Sequence, residues 1–177
     1  MDGRDDVPLT NLDTPLFDDA HATKRDLVEY FEVVSEQLLG ELRDRPLSVV
    51  RALRGRKPFM QKNVPSYAPP WVKTVTIWAQ RSKRDVAYAL CNDPRTLLWF
   101  ANQRAIEYHP TLARGDAHGF AQTHLVLDLD PPAQAGFEAV VRVAELVRRA
   151  LADAGLAGAV KTSGAKGLSR EGYVDRR

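Results

Sequence analysis

The sequence predicts a mixed α/β (α+β) fold, and three observations carry that expectation. Stretches with apolar side chains at helical spacing sit between capping signals, as from Thr23 to Gly40 and from Phe137 to Gly155. Other stretches alternate apolar and polar residues, as in Val72–Trp78 and Thr123–Leu129. The second half then runs strand, helix, strand and glycine loop, an order that belongs to α/β architectures. With 44% hydrophobic and 27% charged residues, a chain of 177 residues can bury a core.

Taken in order, Thr23-Lys24-Arg25-Asp26 reads as a capping box opening a helix. Leu27, Tyr30, Phe31, Val34 and Leu38 fall on one predicted face of it, and Gly40 sits near its end. Leu47-Ser48-Val49-Val50 reads as a strand, and the prolines between Pro65 and Pro70 impose an irregular extended segment. Val72–Trp78 is a half-buried strand. Asp93-Pro94 supplies an N-cap and a first-turn proline for a helix through Leu97, Leu98 and Ala101 toward Ile106. Thr123–Leu129 is a strand closed by Pro131-Pro132. The helix from Phe137 to Ala154 buries Val140, Ala144, Val147 and Leu151, and Ala159–Thr162 opens a further strand. No internal repeat or low-complexity segment interrupts this order.

Composition excludes several classes. No apolar run is long enough to cross a bilayer, and the acidic start Met1-Asp2-Gly3-Arg4-Asp5-Asp6 lacks the order of a signal peptide. Cys91 is the single cysteine, so no internal disulfide and no cysteine metal cluster is expected. A cytoplasmic protein with no membrane partner is the expectation. Net charge is only +2, but it is unevenly spread: six Asp and one Arg lie in the first nineteen residues. Arg43, Arg45, Arg51, Arg54, Arg56, Lys57 and Lys62 then face a single acid, Asp44. Such a stretch attracts phosphate backbones, with Arg51 and Lys62 as candidate contacts, although a solvated basic surface has the same composition.

The most informative run is His124-Leu125-Val126-Leu127-Asp128-Leu129-Asp130-Pro131-Pro132. Strand alternation directs Leu125, Leu127 and Leu129 to one layer and sets Asp128 and Asp130 together on the other face. Carboxylates that close repel, and a divalent cation with oxygen ligands, Mg²⁺ or Mn²⁺, removes the penalty. Two solvated acids at a strand end are the plainer alternative. The second element is Lys161-Thr162-Ser163-Gly164-Ala165-Lys166-Gly167, where Ser163, Gly164, Lys166 and Gly167 suit an anion cradle. A polar turn with a lysine reads the same way. Metal carboxylates beside a phosphate cradle point to phosphoryl or nucleotidyl transfer.

Two families fit that chemistry. In haloacid-dehalogenase-like phosphatases the DxD is usually N-terminal and followed by a small residue, where this chain has Pro131-Pro132. The whole chain, from about Val7 to Leu168, more closely resembles the polymerase domain of bacterial end-joining ligase D, in the archaeo-eukaryotic primase superfamily. The resemblance is carried by Leu9-Thr10-Asn11-Leu12-Asp13, by Thr23-Lys24-Arg25-Asp26-Leu27 with Tyr30, and by Arg45-Pro46. It continues through Gln61-Lys62-Asn63-Val64-Pro65, Leu98-Trp99-Phe100-Ala101-Asn102-Gln103, Glu107-Tyr108-His109-Pro110, the DLDPP run and KTSGAKGL.

That resemblance implies a primase-type mixed sheet with flanking helices. Residues 1–60 would form a DNA-end-binding part, 61–168 a catalytic part, and 169–177 a divergent tail. Asp128 and Asp130 would bind the catalytic Mn²⁺ or Mg²⁺, with His109 in the same active site. Ser163, Gly164, Lys166 and Gly167 would hold the nucleoside triphosphate. Lys24 would grip the 5′-phosphate of a DNA end, and Phe59 would stack on the template. DNA ends, nucleoside triphosphates, a DNA ligase and an end-binding protein are the implied partners, and a nucleoid-associated location follows.

The sequence also departs from the family pattern. Thr14 stands where a basic residue is usual, and Arg51–Lys57 lacks the usual proline-aspartate turn. After Leu168 the family's histidine and strand are replaced by Ser169-Arg170-Glu171-Gly172-Tyr173, with no strand pattern. A third metal-binding aspartate belongs to a second half that the sequence lacks. The expectation is therefore a truncated catalytic half, weak or inactive in transfer, or else a non-catalytic end-binding remnant.

Overall fold

The computed structural model describes residues 7–17, 21–116, 119–132, 134–162 and 168–173. The chain divides into two units, Met1–Gly119 and Phe120–Arg177.

The first unit opens with α1 (Lys24–Leu42). Thr23 caps it in extended conformation, its side chain accepting from the Asp26 amide, while the Asp26 carboxylate accepts from the Thr23 amide at 2.7 Å. Both halves of the capping box read from the sequence are therefore made. The buried face runs through Val28, Phe31, Leu39 and Leu42, with Leu27, Val34 and Leu38 at its margin. Tyr30 does not join it: the side chain is 59% exposed, on the opposite side of the helix from Val28 and Leu39.

Five antiparallel strands follow: β1 (Pro46–Arg51), β2 (Phe59–Gln61), β3 (Thr74–Ala79), β4 (Arg84–Leu90) and β5 (Ala105–Pro110). β1 is the hub. One edge pairs with β5 from Leu47↔Pro110 to Arg51↔Ala105. The other edge is shared, with β4 taking Pro46 and Leu47 and β2 taking Val49 to Arg51. Buried on both faces, β1 carries Leu47 and Val49 at 2% and 1% exposure.

α2 (Pro94–Asn102) begins as predicted, with the Asp93 side chain accepting from Thr96 N at 2.9 Å and Pro94 in the first turn. It ends earlier than predicted. Arg104 takes a left-handed conformation (φ 63°), and Ile106 lies in β5 instead of the helix. Thr96 to Ala101 are all buried, so α2 is the centre of the core and not a surface helix. Phe31, Phe100 and Tyr108 meet edge-on there, with ring centroids 4.9 and 6.2 Å apart. β6 (Ala113–Asp116) and β7 (Gly119–Gln122) occupy the stretch where the first unit gives way to the second.

The second unit holds β8 (His124–Leu129), α3 (Phe137–Asp153), β9 (Ala157–Thr162) and β10 (Leu168–Tyr173). Its sheet has the order β8-β10-β9, antiparallel throughout. α3 packs as its pattern predicts, with Val140 and Leu151 buried and Ala144 and Val147 half-buried. β10 corrects the expectation of a patternless tail. Its backbone lies between two neighbours and pairs with both along six residues each. A central strand needs no side-chain alternation when both ladders are satisfied by the main chain.

Candidate metal centre and nucleic-acid interface

Asp128 is the penultimate residue of β8 and Asp130 follows the strand, so side-chain alternation brings them to one side. Both are exposed, and both line a hollow of about 190 Å³. Leu129, Pro131 and Pro132 form the rest of the strand-side rim, and Ala139, Val140 and Val143 of α3 form the apolar wall. Pro131 and Pro132 offer no backbone N–H, so the acids end the ladder at an open edge. The donor set is two hard carboxylates beside a low-dielectric wall, which suits Mg²⁺ or Mn²⁺. Among the described residues no third His, Cys, Asp or Glu joins them, so the fit covers part of a coordination sphere. Leu125 is 38% exposed, so the expected inner leucine layer is complete only at Leu127 and Leu129, which are half-buried.

Ser163, Gly164, Lys166 and Gly167 lie outside the described residues. Their flanks are described. Leu168 pairs with Thr162 on one side and with Leu129 on the other. The residues flanking 163–167 therefore stand level with the end of β8, Leu168 about 5 Å and Thr162 about 10 Å away, at one and two strand spacings. Asp128 itself is in register with Ser169.

The remaining candidates lie in the first unit. His109 is on β5 opposite Ser48, exposed, with Nε2 2.8 Å from Glu107 Oε2. The two side chains share a strand face, and the contact ties one ring nitrogen, leaving Nδ1 as the other.

Lys24 is buried at 4% exposure, and its Nζ donates to the Asn102 carbonyl at 3.1 Å. Around it the leader is tied down: Lys24 N donates to Thr14 O, Thr10 N to Asn102 Oδ1, and Arg104 to the Pro15 and Leu16 carbonyls. Burial, and secondarily the Arg104 charge, hold the Lys24 ammonium below its ordinary pKa. The side chain thus cross-links the start of α1 to the end of α2.

Phe59 on β2 is 40% exposed, which removes the alternative that it is a core residue. Lys62 is exposed, as are Arg43, Arg54, Arg56 and Lys57. Arg45 is 3% exposed, donating to the Thr111 carbonyl at 3.0 Å, and Arg51 is engaged by protein acceptors. The basic stretch is therefore two populations, and only one of them faces solvent. Sequence reasoning passed over Tyr67 and gave Gln103 and Glu107, quoted only for the resemblance, no role; these residues partner Arg51 and His109. Glu107 carried a signal in its spacing of two from His109; Tyr67, inside a proline-rich segment, carried none.

Residues 23–169 match the family described as LigD, primase-polymerase domain. The chain is 34% identical over 164 residues to the "Bifunctional non-homologous end joining protein LigD" of Bacillus subtilis (strain 168), covering 92% of this chain and 26% of that protein. It is 35% identical over 171 residues to the "Multifunctional non-homologous end joining DNA repair protein LigD" of Mycobacterium tuberculosis (strain ATCC 25618 / H37Rv), covering 92% and 22%. Among solved structures it is similar to the "Polymerase Domain from Mycobacterium tuberculosis Ligase D in complex with DNA", with TM-score 0.81 and 34% identity, over 96% of this chain and 62% of that one. The chain thus spans about a quarter of the length of these curated relatives and under two thirds of that polymerase-domain chain. The match takes in both the DxD strand and the 163–167 segment, which leaves the dehalogenase-like alternative without support.

Proposed function

This chain belongs to the LigD primase-polymerase domain family, and from that premise we propose that it adds nucleotides at gapped or broken DNA ends in end-joining repair. The proposal has one supporting observation above the others. Asp128 and Asp130 open into one hollow at the sheet end from which the 163–167 segment departs. In this reading Asp128 and Asp130 hold Mn²⁺ or Mg²⁺, and such ions supply charge neutralisation at the attacking and leaving oxygens of an in-line phosphoryl displacement. Ser163 and Lys166 bind the triphosphate, and the backbone N–H groups of Gly164 and Gly167 complete the cradle. His109, whose Nε2 lies 2.8 Å from Glu107 Oε2, is the proposed active-site histidine. Lys62 faces the DNA end and Phe59 stacks on template, while Lys24, 4% exposed and donating to the Asn102 carbonyl, grips a 5′-phosphate only by giving up that contact. A ligase and an end-binding protein are the proposed partners of the whole protein. No helix among the described residues is long and apolar enough to cross a membrane.

The test is primer extension with Mn²⁺ on a gapped duplex bearing a 5′-phosphate, comparing the chain with Asp128→Ala and Asp130→Ala. Extension lost in both variants supports the reading. Extension that is absent, or indifferent to both substitutions, removes polymerase activity from this chain. Binding that still depends on the 5′-phosphate, without extension, would identify an end-binding module.

A further inference from the structure

Arg51 ends β1 beside the exposed basic hairpin, yet its guanidinium is occupied by protein. Nε donates to the Gln103 carbonyl at 2.8 Å. One terminal nitrogen donates to Gln61 Oε1 at 2.8 Å and to the Tyr67 hydroxyl at 3.2 Å, and the other donates to Gln103 Oε1 at 3.2 Å. Four of the five N–H donors of an arginine are thereby directed at acceptors inside the molecule. The same guanidinium lies 5.8 Å from the centroid of the Phe59 ring. The Tyr67 hydroxyl, besides accepting from Arg51, donates to Gln103 Oε1 at 3.3 Å.

One side chain therefore fixes two aromatic residues from separate parts of the chain, Phe59 on β2 and Tyr67 in the proline-rich segment. Neither ring is consumed by the core: Phe59 is 40% exposed and Tyr67 61%. Tyr67 is anchored through its hydroxyl while most of its surface faces water. A ring held that way loses little conformational freedom when a flat ligand settles on it. Arg54, Arg56, Lys57 and Lys62 are exposed along the adjoining stretch and supply positive charge for a sugar-phosphate backbone. Stacking faces flanked by solvated cations are the chemistry of single-strand binding.

We propose that Tyr67 is a second stacking surface for unpaired bases of a DNA overhang, alongside Phe59, and that Arg51 is a positioning residue holding both rings instead of a phosphate contact. The proposal takes its ligand class from the polymerase reading above and adds to it a residue that accepts bases and a residue that arranges them.

The experiment measures affinity of the full chain for a duplex with a single-stranded 3′ overhang, and for a blunt duplex, across a salt series. Tyr67→Ala should weaken overhang binding about tenfold, or about 1.4 kcal/mol, within the range of one stacked base, and leave blunt binding unchanged. Tyr67→Phe keeps the ring without its anchor and should lose less. Arg51→Lys keeps the charge but not the fork, and should match Tyr67→Ala with an unaltered slope of log affinity against log salt. A phosphate contact behaves oppositely: Arg51→Lys stays near wild type, and Arg51→Ala lowers the slope by about one. That opposite pattern, or overhang binding indifferent to Tyr67→Ala, overturns the proposal, and the tyrosine arm decides even where an arginine variant folds poorly. A wild-type chain that binds neither DNA form would instead overturn the polymerase reading itself.

Discussion

Replacing Lys24 by methionine separates two roles that one side chain is asked to fill. Methionine keeps an unbranched stem in the 4%-exposed slot but removes the ammonium that donates to the Asn102 carbonyl at 3.1 Å. A hydrogen bond from a charged donor contributes about 1.5–3 kcal/mol, and its loss leaves a carbonyl at the end of α2 without this partner. Against that loss, methionine needs no desolvation of a charge and feels no repulsion from Arg104, the two causes that depress the Lys24 pKa. The net expectation is a destabilisation of about 1–2 kcal/mol, or about 2–8 °C in Tm for a chain of this size. Urea and thermal unfolding measure it. In parallel, binding to gapped duplexes with and without a 5′-phosphate measures the second role, where the variant should lose its preference for the phosphate. A variant as stable as wild type would refute the structural tie. An intact 5′-phosphate preference would refute the proposed grip.

The remaining predictions concern the same lysine and the core. Because the folded-state pKa of Lys24 lies below 10.5, the unfolded chain holds its proton to higher pH than the folded one. Stability relative to Lys24→Met should therefore rise with pH through the window ending near 10.5, and stay flat below it; a relative fall across that window would contradict the burial argument. Leu97→Ala, at a fully buried position of α2, should cost about 3–5 kcal/mol, and a loss under about 1.5 kcal/mol would mean the helix collapses into the space.

Much of the fold was legible because local chemistry and tertiary demand agreed. The Thr23–Asp26 and Asp93–Pro94 starts are set by hydrogen bonds within three residues, so sequence alone locates them. Helix ends were harder. α2 stops at a left-handed arginine, Arg104, with no glycine to announce it, and its Asn102 carbonyl accepts from Lys24, far away along the chain. Tyr30 was assigned to the core by spacing, but the face that packs is chosen by α2 and β5, which spacing does not see. The basic stretch shows the same limit: composition does not distinguish Arg45, buried on the Thr111 carbonyl, from Arg56 in solvent. Of the candidate site, the placement of Asp128 and Asp130 at one hollow was legible, since strand alternation is a local rule. Arg51 was not, because its partners Gln61, Tyr67 and Gln103 come from three separate segments.

The order β8-β10-β9 has a consequence for how the carboxylate strand comes to be held. β8 and β9 are not bonded to each other; each reaches the sheet through β10, the last of the described strands. A nascent chain that has emerged only as far as Thr162 already contains Asp128, Asp130 and the whole of α3, yet none of the described strands is available to hydrogen-bond β8. The acids would then sit on a segment with neither edge paired among the described strands, so its register is not set. Pairing by Leu168–Tyr173 fills both gaps, setting Asp128 opposite Ser169 and Thr162 opposite Leu168. The register of the aspartate-bearing strand thus depends on a strand that contributes no residue to the lining of the hollow.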